Sequence, residues 1–201
     1  NSLEKLEEKG GGYDLIEVDV CIRENGQMDV THDEDTTFGL DIVPYFAYLH
    51  QHPEKRMWMD IKNLDEENKE PFFVCLDSLC RTYEIAHERL IVETPRWDLM
   101  RLLTIHDFCT SYYVDAPKPS ELTRRQMDSV ITRLDRVASS GCVRALSFPG
   151  WWYMALRGQY KERDISFLIW KHRSIQWEVF LCPEGKMMLA DDRVKAILVK
   201  D

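Results

Sequence analysis

Two carboxylates lie two residues apart in an otherwise hydrophobic segment near the start of the chain. Glu17 and Asp19 belong to residues 13–20, whose alternating pattern predicts a β-strand. Side chains two positions apart on a strand leave the same face, so these carboxylates lie close together. Like charges held together are costly unless a cation or a shared proton relieves them, and oxygen ligands suit Mg²⁺ or Ca²⁺. A solvated pair at the rim of a sheet is the alternative interpretation.

A second charged pair ends the next predicted main strand, residues 57–61. Asp60 and Lys62 again share one face of an apolar strand. Charges at the carboxyl ends of successive strands are typical of a β/α-barrel active site. Asp60 is then a candidate third oxygen ligand, and Lys62 is a candidate point charge for a phosphate oxygen. An ion pair within the strand is the alternative.

A histidine follows a predicted hairpin arm. The turn at residues 24–26 leads into a short strand at 27–31, and His32 and Asp33 come directly after it. Histidine titrates near neutral pH, so His32 is a candidate general acid or base, with Asp33 close enough to orient it. An exposed histidine without a catalytic role is the alternative.

The elements that must position these residues alternate along the chain. Apolar runs such as residues 89–92 and 196–199 indicate parallel strands covered on both faces. The order predicts an α/β fold of the TIM-type (β/α) barrel, with an open doubly wound sheet as the alternative. Strands are predicted at 13–20, 27–31, 57–61, 89–93, 108–114, 143–147, 165–170 and 196–200. Helices are predicted at 1–9, 41–51, 70–87, 96–104, 120–138, 151–160 and 174–181.

The predicted strands leave one barrel position unfilled. Without the hairpin arm they number seven, whereas a closed barrel has eight, and the chain opens with a predicted helix. We therefore expect the first strand to be missing from the sequence, before Asn1. With 201 residues and 44% hydrophobic content, a single domain over residues 1–201 is expected.

Composition argues against several classes of partner. The formal net charge of −9 disfavours binding to nucleic acid or to anionic membranes, which requires a basic surface. No apolar run approaches the roughly 20 residues of a transmembrane segment. The six cysteines form no C-x-x-C pair, which disfavours a zinc or thiol-redox site.

Four short segments, in this order, resemble the glycerophosphodiester phosphodiesterases of the PLC-like phosphodiesterase superfamily. They are NSLE at 1–4, IEVDV at 16–20, HD at 32–33 and DIK at 60–62. The resemblance implies that Glu17, Asp19 and Asp60 bind a divalent metal, Mg or Ca, and that His32 is one of two catalytic histidines. The family's other histidine would lie before Asn1. Asp60 stands where the family has a glutamate, and the short segment between Asp33 and Asp60 implies that the family's inserted subdomain is largely absent.

The activity that the resemblance implies is metal-dependent hydrolysis of a phosphodiester, with release of an alcohol. The substrate is expected to be a small-molecule or lipid-derived phosphodiester, and a glycerophosphodiester is the first candidate. Sphingomyelinases D share the barrel and the carboxylate-metal chemistry, so a lipid phosphodiester is an alternative. A non-catalytic barrel that binds a phosphorylated ligand and a metal-dependent sugar isomerase are further alternatives.

Three residues near later strand ends are candidates for contacting substrate. Trp170 falls where the family has a strand-seven tryptophan and would wall the substrate pocket, with ordinary packing as the alternative. His172 lies just past the same strand, on the side where barrel active sites form. Glu93 ends the strand at 89–93 and is a further candidate to reach the site, with an ordinary contact at the barrel rim as the alternative. The remaining histidines are predicted to lie on the surface or at helix ends: His50, His52, His87 and His106.

Overall fold

The computed structural model describes residues 3–24, 26–161, 164–171 and 175–199. The predicted site residue His172 lies outside the described residues. The chain divides into two units, Asn1–Thr110 and Ser111–Asp201. The prediction of a single domain over residues 1–201 stays a prediction.

The first unit carries the strands that bear the predicted chemistry. Strand β1 pairs in parallel with β3, and β3 pairs in parallel with β4, while β2 folds back antiparallel on the end of β1. The strand order is therefore β2-β1-β3-β4. Its elements are α1 (Leu3–Lys9), β1 (Leu15–Ile22), β2 (Met28–Asp29), α2 (Val43–Gln51), β3 (Arg56–Ile61), α3 (Lys69–Thr82), β4 (Leu90–Thr94) and α4 (Arg101–Ile105).

The second unit continues the same alternation. Strand β5 (Cys109–Tyr113) crosses the boundary between the units. The pairs β5–β6, β6–β7 and β7–β8 are all parallel. The other elements are α5 (Arg124–Ser139), β6 (Ala145–Pro149), α6 (Tyr153–Leu156), β7 (Ser166–Lys171), α7 (Gln176–Leu181), α8 (Pro183–Leu189) and β8 (Val194–Val199).

The predicted α/β class is confirmed, because every predicted strand is present and the main strands pair in parallel with helices between them. All five residues of β4 are buried, as expected for a parallel strand covered on both faces. Strand β8 differs, because each of its residues keeps some solvent exposure. It is the last strand in the order, where one edge has no paired neighbour among the described strands.

Several helices differ from the sequence prediction: α4 begins at Arg101 rather than at residue 96, α5 begins at Arg124 rather than at residue 120, and α6 spans only Tyr153–Leu156 rather than residues 151–160. Helix α3 ends at Thr82 rather than at residue 87, because Glu84 adopts a left-handed conformation with a φ of 54°. The Ile85 N–H then bonds to the Cys80 carbonyl at 2.8 Å, which closes the end of the helix. Helix α8 was not predicted. Pro183 begins it, where a missing N–H costs nothing, and the Cys182 sulfur accepts a bond from the Gly185 N–H.

Within the parts of the chain that the structure describes, no helix has the length and apolar character needed to cross a membrane.

Candidate metal centre

Three carboxylates meet at the carboxyl end of β1 and β3. Asp19 and Asp60 are direct Cα partners in the parallel register of these strands, and Glu17 lies two residues before Asp19 on the same face. One oxygen from each of the three carboxylates lies within 4.8 Å of the others. The convergence predicted from the two-residue spacing is therefore present.

The ammonium group of Lys62 lies between two of these carboxylates. Its Nζ atom is 2.6 Å from Asp19 Oδ1 and 2.5 Å from Asp60 Oδ2. The backbone holds this position, because the Lys62 N–H bonds to the Val20 carbonyl of β1 at 3.0 Å. The ion pair within the strand that was the alternative for Asp60 and Lys62 is thus formed, and it extends to Asp19 on the neighbouring strand.

The pKa values of the cluster follow from burial and crowding. Burial raises the pKa of Glu17 to about 7, and the charges of Asp19 and Asp60 add to that rise. Burial also raises the pKa of Asp60, with Lys62 opposing the shift. For Lys62, burial works to lower the pKa, but the charge of Asp60 and hydrogen bonds to both aspartates outweigh it, so the pKa is raised. One ammonium therefore faces three crowded carboxylates.

This donor set fits a hard divalent cation. Mg²⁺ and Ca²⁺ prefer carboxylate oxygens and complete their coordination with water or substrate oxygens. Burial is the largest cause of the raised pKa of Glu17, and the negative charges of Asp19 and Asp60 add to it; the positive charge of a divalent cation would oppose both effects. Among the described residues, Glu17, Asp19 and Asp60 are the group of carboxylates whose oxygens lie close enough together to hold a metal ion.

His32 lies directly after the hairpin arm with most of its side chain exposed. Its Nδ1 atom is 2.8 Å from Asp33 Oδ1, and the side chain is 70% exposed. A carboxylate only accepts, so the Nδ1–H donates and Nε2 is left to face solvent or a substrate. The charge of His32 is among those that lower the pKa of Asp60, which places the histidine within electrostatic range of the cluster.

Glu93 extends the acidic row on the neighbouring strand. It is the Cα partner of Asp60 in β4, so Asp19, Asp60 and Glu93 occupy equivalent positions on three adjacent strands. Its side chain is buried, with 2% exposure. Among the described residues, Glu93 is not part of the candidate metal-binding group.

Trp170 packs against its own unit. Its indole ring stacks on Tyr113 with 5.1 Å between centroids and 13° between planes, and its Nε1–H donates to Ser147 Oγ at 3.1 Å. These contacts join β5, β6 and β7 at their carboxyl ends. A substrate contact for Trp170 stays a prediction.

Two residues that secure the site were not found from the sequence. The Asn63 amide accepts from the Ile22 N–H at 2.8 Å and donates to the Ile22 carbonyl at 2.9 Å, joining the ends of β3 and β1. Arg23 bonds to Asp29 and to the turn after His32. The signal in the sequence is a polar residue one or two positions beyond the end of each strand that carries the carboxylates.

The other described histidines lie at helix ends or on the surface, as predicted. His50 is in the last turn of α2 and His52 caps it, while His106 caps α4. His87 bonds to Asp77 at 3.2 Å in a short 3₁₀ turn.

No family model matches the chain, and no curated protein matches it in sequence. Solved structures do. One, assigned as a glycerophosphoryl diester phosphodiesterase from Silicibacter pomeroyi DSS-3, has a TM-score of 0.67 at 14% identity, covering 99% of this chain and 84% of that chain. A glycerophosphodiester phosphodiesterase from Parabacteroides distasonis has a TM-score of 0.63 at 13% identity, covering 99% and 85%.

A third structure, assigned as a glycerophosphodiester phosphodiesterase from Galdieria sulphuraria, has a TM-score of 0.58 at 12% identity, covering 98% of this chain and 84% of that chain. At 12–14% sequence identity, the similarity to these structures shows a shared fold only. The TIM-barrel type of α/β fold and the resemblance noted in the sequence are thereby confirmed: the chain has the fold of solved glycerophosphodiester phosphodiesterase structures over nearly its whole length.

Proposed function

We propose that the protein is a metal-dependent phosphodiesterase that hydrolyses glycerophosphodiesters and releases an alcohol. The observation that supports this most is the cluster of Glu17, Asp19 and Asp60 beside the Lys62 ammonium at the carboxyl ends of β1 and β3. The similar solved structures are described as glycerophosphodiester phosphodiesterases. Binding a divalent cation next to a fixed ammonium is a suitable arrangement for a phosphodiester anion.

The three carboxylates would hold the metal, which supplies positive charge to the phosphoryl oxygens when bound. Lys62 would contact a phosphoryl oxygen as a point charge, and its raised pKa keeps it an ammonium at neutral pH. The ammonium is already placed by Asp19 and Asp60, so no reorganisation is required when substrate arrives.

His32 would donate a proton to the leaving alcohol. Its Nδ1 atom is hydrogen-bonded to Asp33, which would orient the ring for proton transfer. In the family that the sequence resembles, a second histidine acts as the base. The proposal is therefore tested on the full-length protein.

The experiment measures alcohol release by the full-length protein from glycerophosphocholine, glycerophosphoethanolamine, lysophosphatidylcholine and sphingomyelin. Each substrate is incubated with Mg²⁺, with Ca²⁺ and with EDTA. We expect metal-dependent turnover of the glycerophosphodiesters. If choline is released from sphingomyelin but from none of the other substrates, the activity is of the sphingomyelinase D type instead.

A matched pair of variants separates the site from general charge effects. Glu17→Gln removes a proposed ligand, whereas Glu8→Gln makes the same change at an exposed position of α1. We expect turnover to be lost in the first variant and retained in the second. If the full-length wild type hydrolyses none of the four diesters, the proposed enzymatic activity is rejected. The alternative is then a non-catalytic barrel that binds a phosphorylated ligand.

A further inference from the structure

The guanidinium group of Arg23 joins the end of β1 to the turn that follows His32. It donates to Asp29 Oδ2 from Nε at 3.2 Å and from Nη2 at 2.7 Å. Nη1 donates to the Glu34 carbonyl at 2.6 Å, and Nη2 also donates to the Thr36 carbonyl at 2.7 Å. One side chain thus binds a carboxylate and two backbone carbonyls.

The segment that carries His32 is attached to β1 just before the histidine, where the Cys21 thiol donates to the carbonyl of the buried Thr31 at 3.6 Å. Strand β2 is only two residues long, and its ladder with β1 ends at Asp29. Beyond it, the Thr36 N–H and the Thr31 hydroxyl both bond to the Asp33 carbonyl, so these bonds close the turn on itself. The bonds from Arg23 instead connect the turn to β1.

The other end of this connection is firmly held. Arg23 follows Ile22, whose N–H and carbonyl are both bound by the Asn63 amide. Asn63 itself follows Lys62 at the end of β3. The hydrogen bonds from Asn63 to Ile22, the peptide bond from Ile22 to Arg23 and the hydrogen bonds of Arg23 therefore connect the end of β3 to the turn after His32.

We propose that Arg23 is a positioning residue for His32, which it holds in register with the carboxylate cluster through the turn at 33–36. The contribution of Arg23 to catalysis rests on the proposed function. A planar fork of donors suits this arrangement, because the guanidinium donates from three nitrogen atoms to three acceptor atoms, whereas an ammonium donates from a single nitrogen. The buried carboxylate of Asp29, 8% exposed, fixes the orientation of the fork.

The test compares Arg23→Lys with Arg96→Lys. The control removes a fork that binds only the exposed Asp98. In Arg23→Lys the charge opposite Asp29 remains while the carbonyl bonds are lost. We expect backbone ¹⁵N order parameters at residues 32–36 to fall from about 0.85 toward about 0.6, with no such change in the control.

Kinetics give a second readout. A loosened general acid is expected to lower kcat in Arg23→Lys by about tenfold to a hundredfold, with KM and Ca²⁺ affinity unchanged. In Arg23→Ala, added ethylguanidinium is expected to restore part of kcat, whereas ethylammonium is not.

Unchanged order parameters at residues 32–36 in Arg23→Lys would overturn the positioning role, and so would equal rescue by the two cations. The relaxation measurement needs no turnover. A wild-type protein that hydrolyses no phosphodiester would reject the proposed function while the relaxation data still decide what Arg23 holds.

Discussion

Replacing Glu17 with glutamine is expected to stabilise the protein at alkaline pH when no metal is bound. The pKa of Glu17 is raised from 4.5 to about 7, chiefly by burial. An unfolded chain releases this proton near pH 4.5, whereas the folded protein retains it until about pH 7. Between these values the folded state binds more protons, so its stability falls as the pH rises through this window and is constant above it.

The size of this loss follows from the shift. A pKa difference of about 2.5 units at 1.36 kcal/mol per unit gives about 3 kcal/mol, lost between pH 4.5 and pH 7. Glutamine has nearly the same shape and does not ionise. Glu17→Gln is therefore expected to equal the wild type in stability at pH 4 and to exceed it by about 3 kcal/mol at pH 8, or by about 6–12 °C in Tm.

The assay is urea unfolding of both proteins in EDTA at pH 4, 6 and 8, followed by circular dichroism. Addition of Ca²⁺ at pH 8 should then stabilise the wild type and leave Glu17→Gln unchanged, because a ligand that binds only the folded state raises stability. If the free energies of unfolding of the two proteins change in parallel with pH, ionisation of Glu17 does not destabilise the folded state and the reasoning is refuted.

Three further variants test other parts of the account. His32→Asn should lower kcat by about 10²–10⁴-fold without changing Ca²⁺ affinity, measured by steady-state kinetics and calorimetry; loss of metal binding would contradict its assignment as a proton donor. Lys62→Met should destabilise the protein in EDTA by about 3–5 kcal/mol in urea unfolding, because it removes the partner of two half-buried aspartates; a neutral effect would contradict that pairing. Arg89→Met should cost about 3 kcal/mol in the same assay, because the carbonyls of Leu49, His52 and Lys55 each lose a hydrogen bond from the guanidinium; an unchanged unfolding midpoint would contradict that role.

The convergence of the carboxylates was predictable because it depends on short-range geometry. Glu17 with Asp19, and Asp60 with Lys62, are each two residues apart on strands with a clear apolar pattern. The two strands are neighbours in the parallel sheet, so their carboxyl ends meet. Sequence spacing alone, however, gives no cross-strand register. The contact from Lys62 to Asp19 depends on Asp19 and Asp60 being Cα partners.

The parts that were not predicted depend on single backbone choices or on contacts across turns. The left-handed conformation of Glu84 ends α3 early, although glutamate has no special preference for it. Arg23 reaches carbonyls 11 and 13 residues away through a turn whose path no periodicity encodes. Both are decided by how the surrounding chain packs.

The most direct measurement is an anomalous difference map from a crystal of the full-length protein grown with Mn²⁺, which substitutes for Mg²⁺. We expect a strong peak for the metal, with one oxygen each of Glu17, Asp19 and Asp60 at roughly 2.0–2.6 Å from it. A crystal that binds Mn²⁺ elsewhere but shows no peak among these three carboxylates would contradict the assignment of the metal centre.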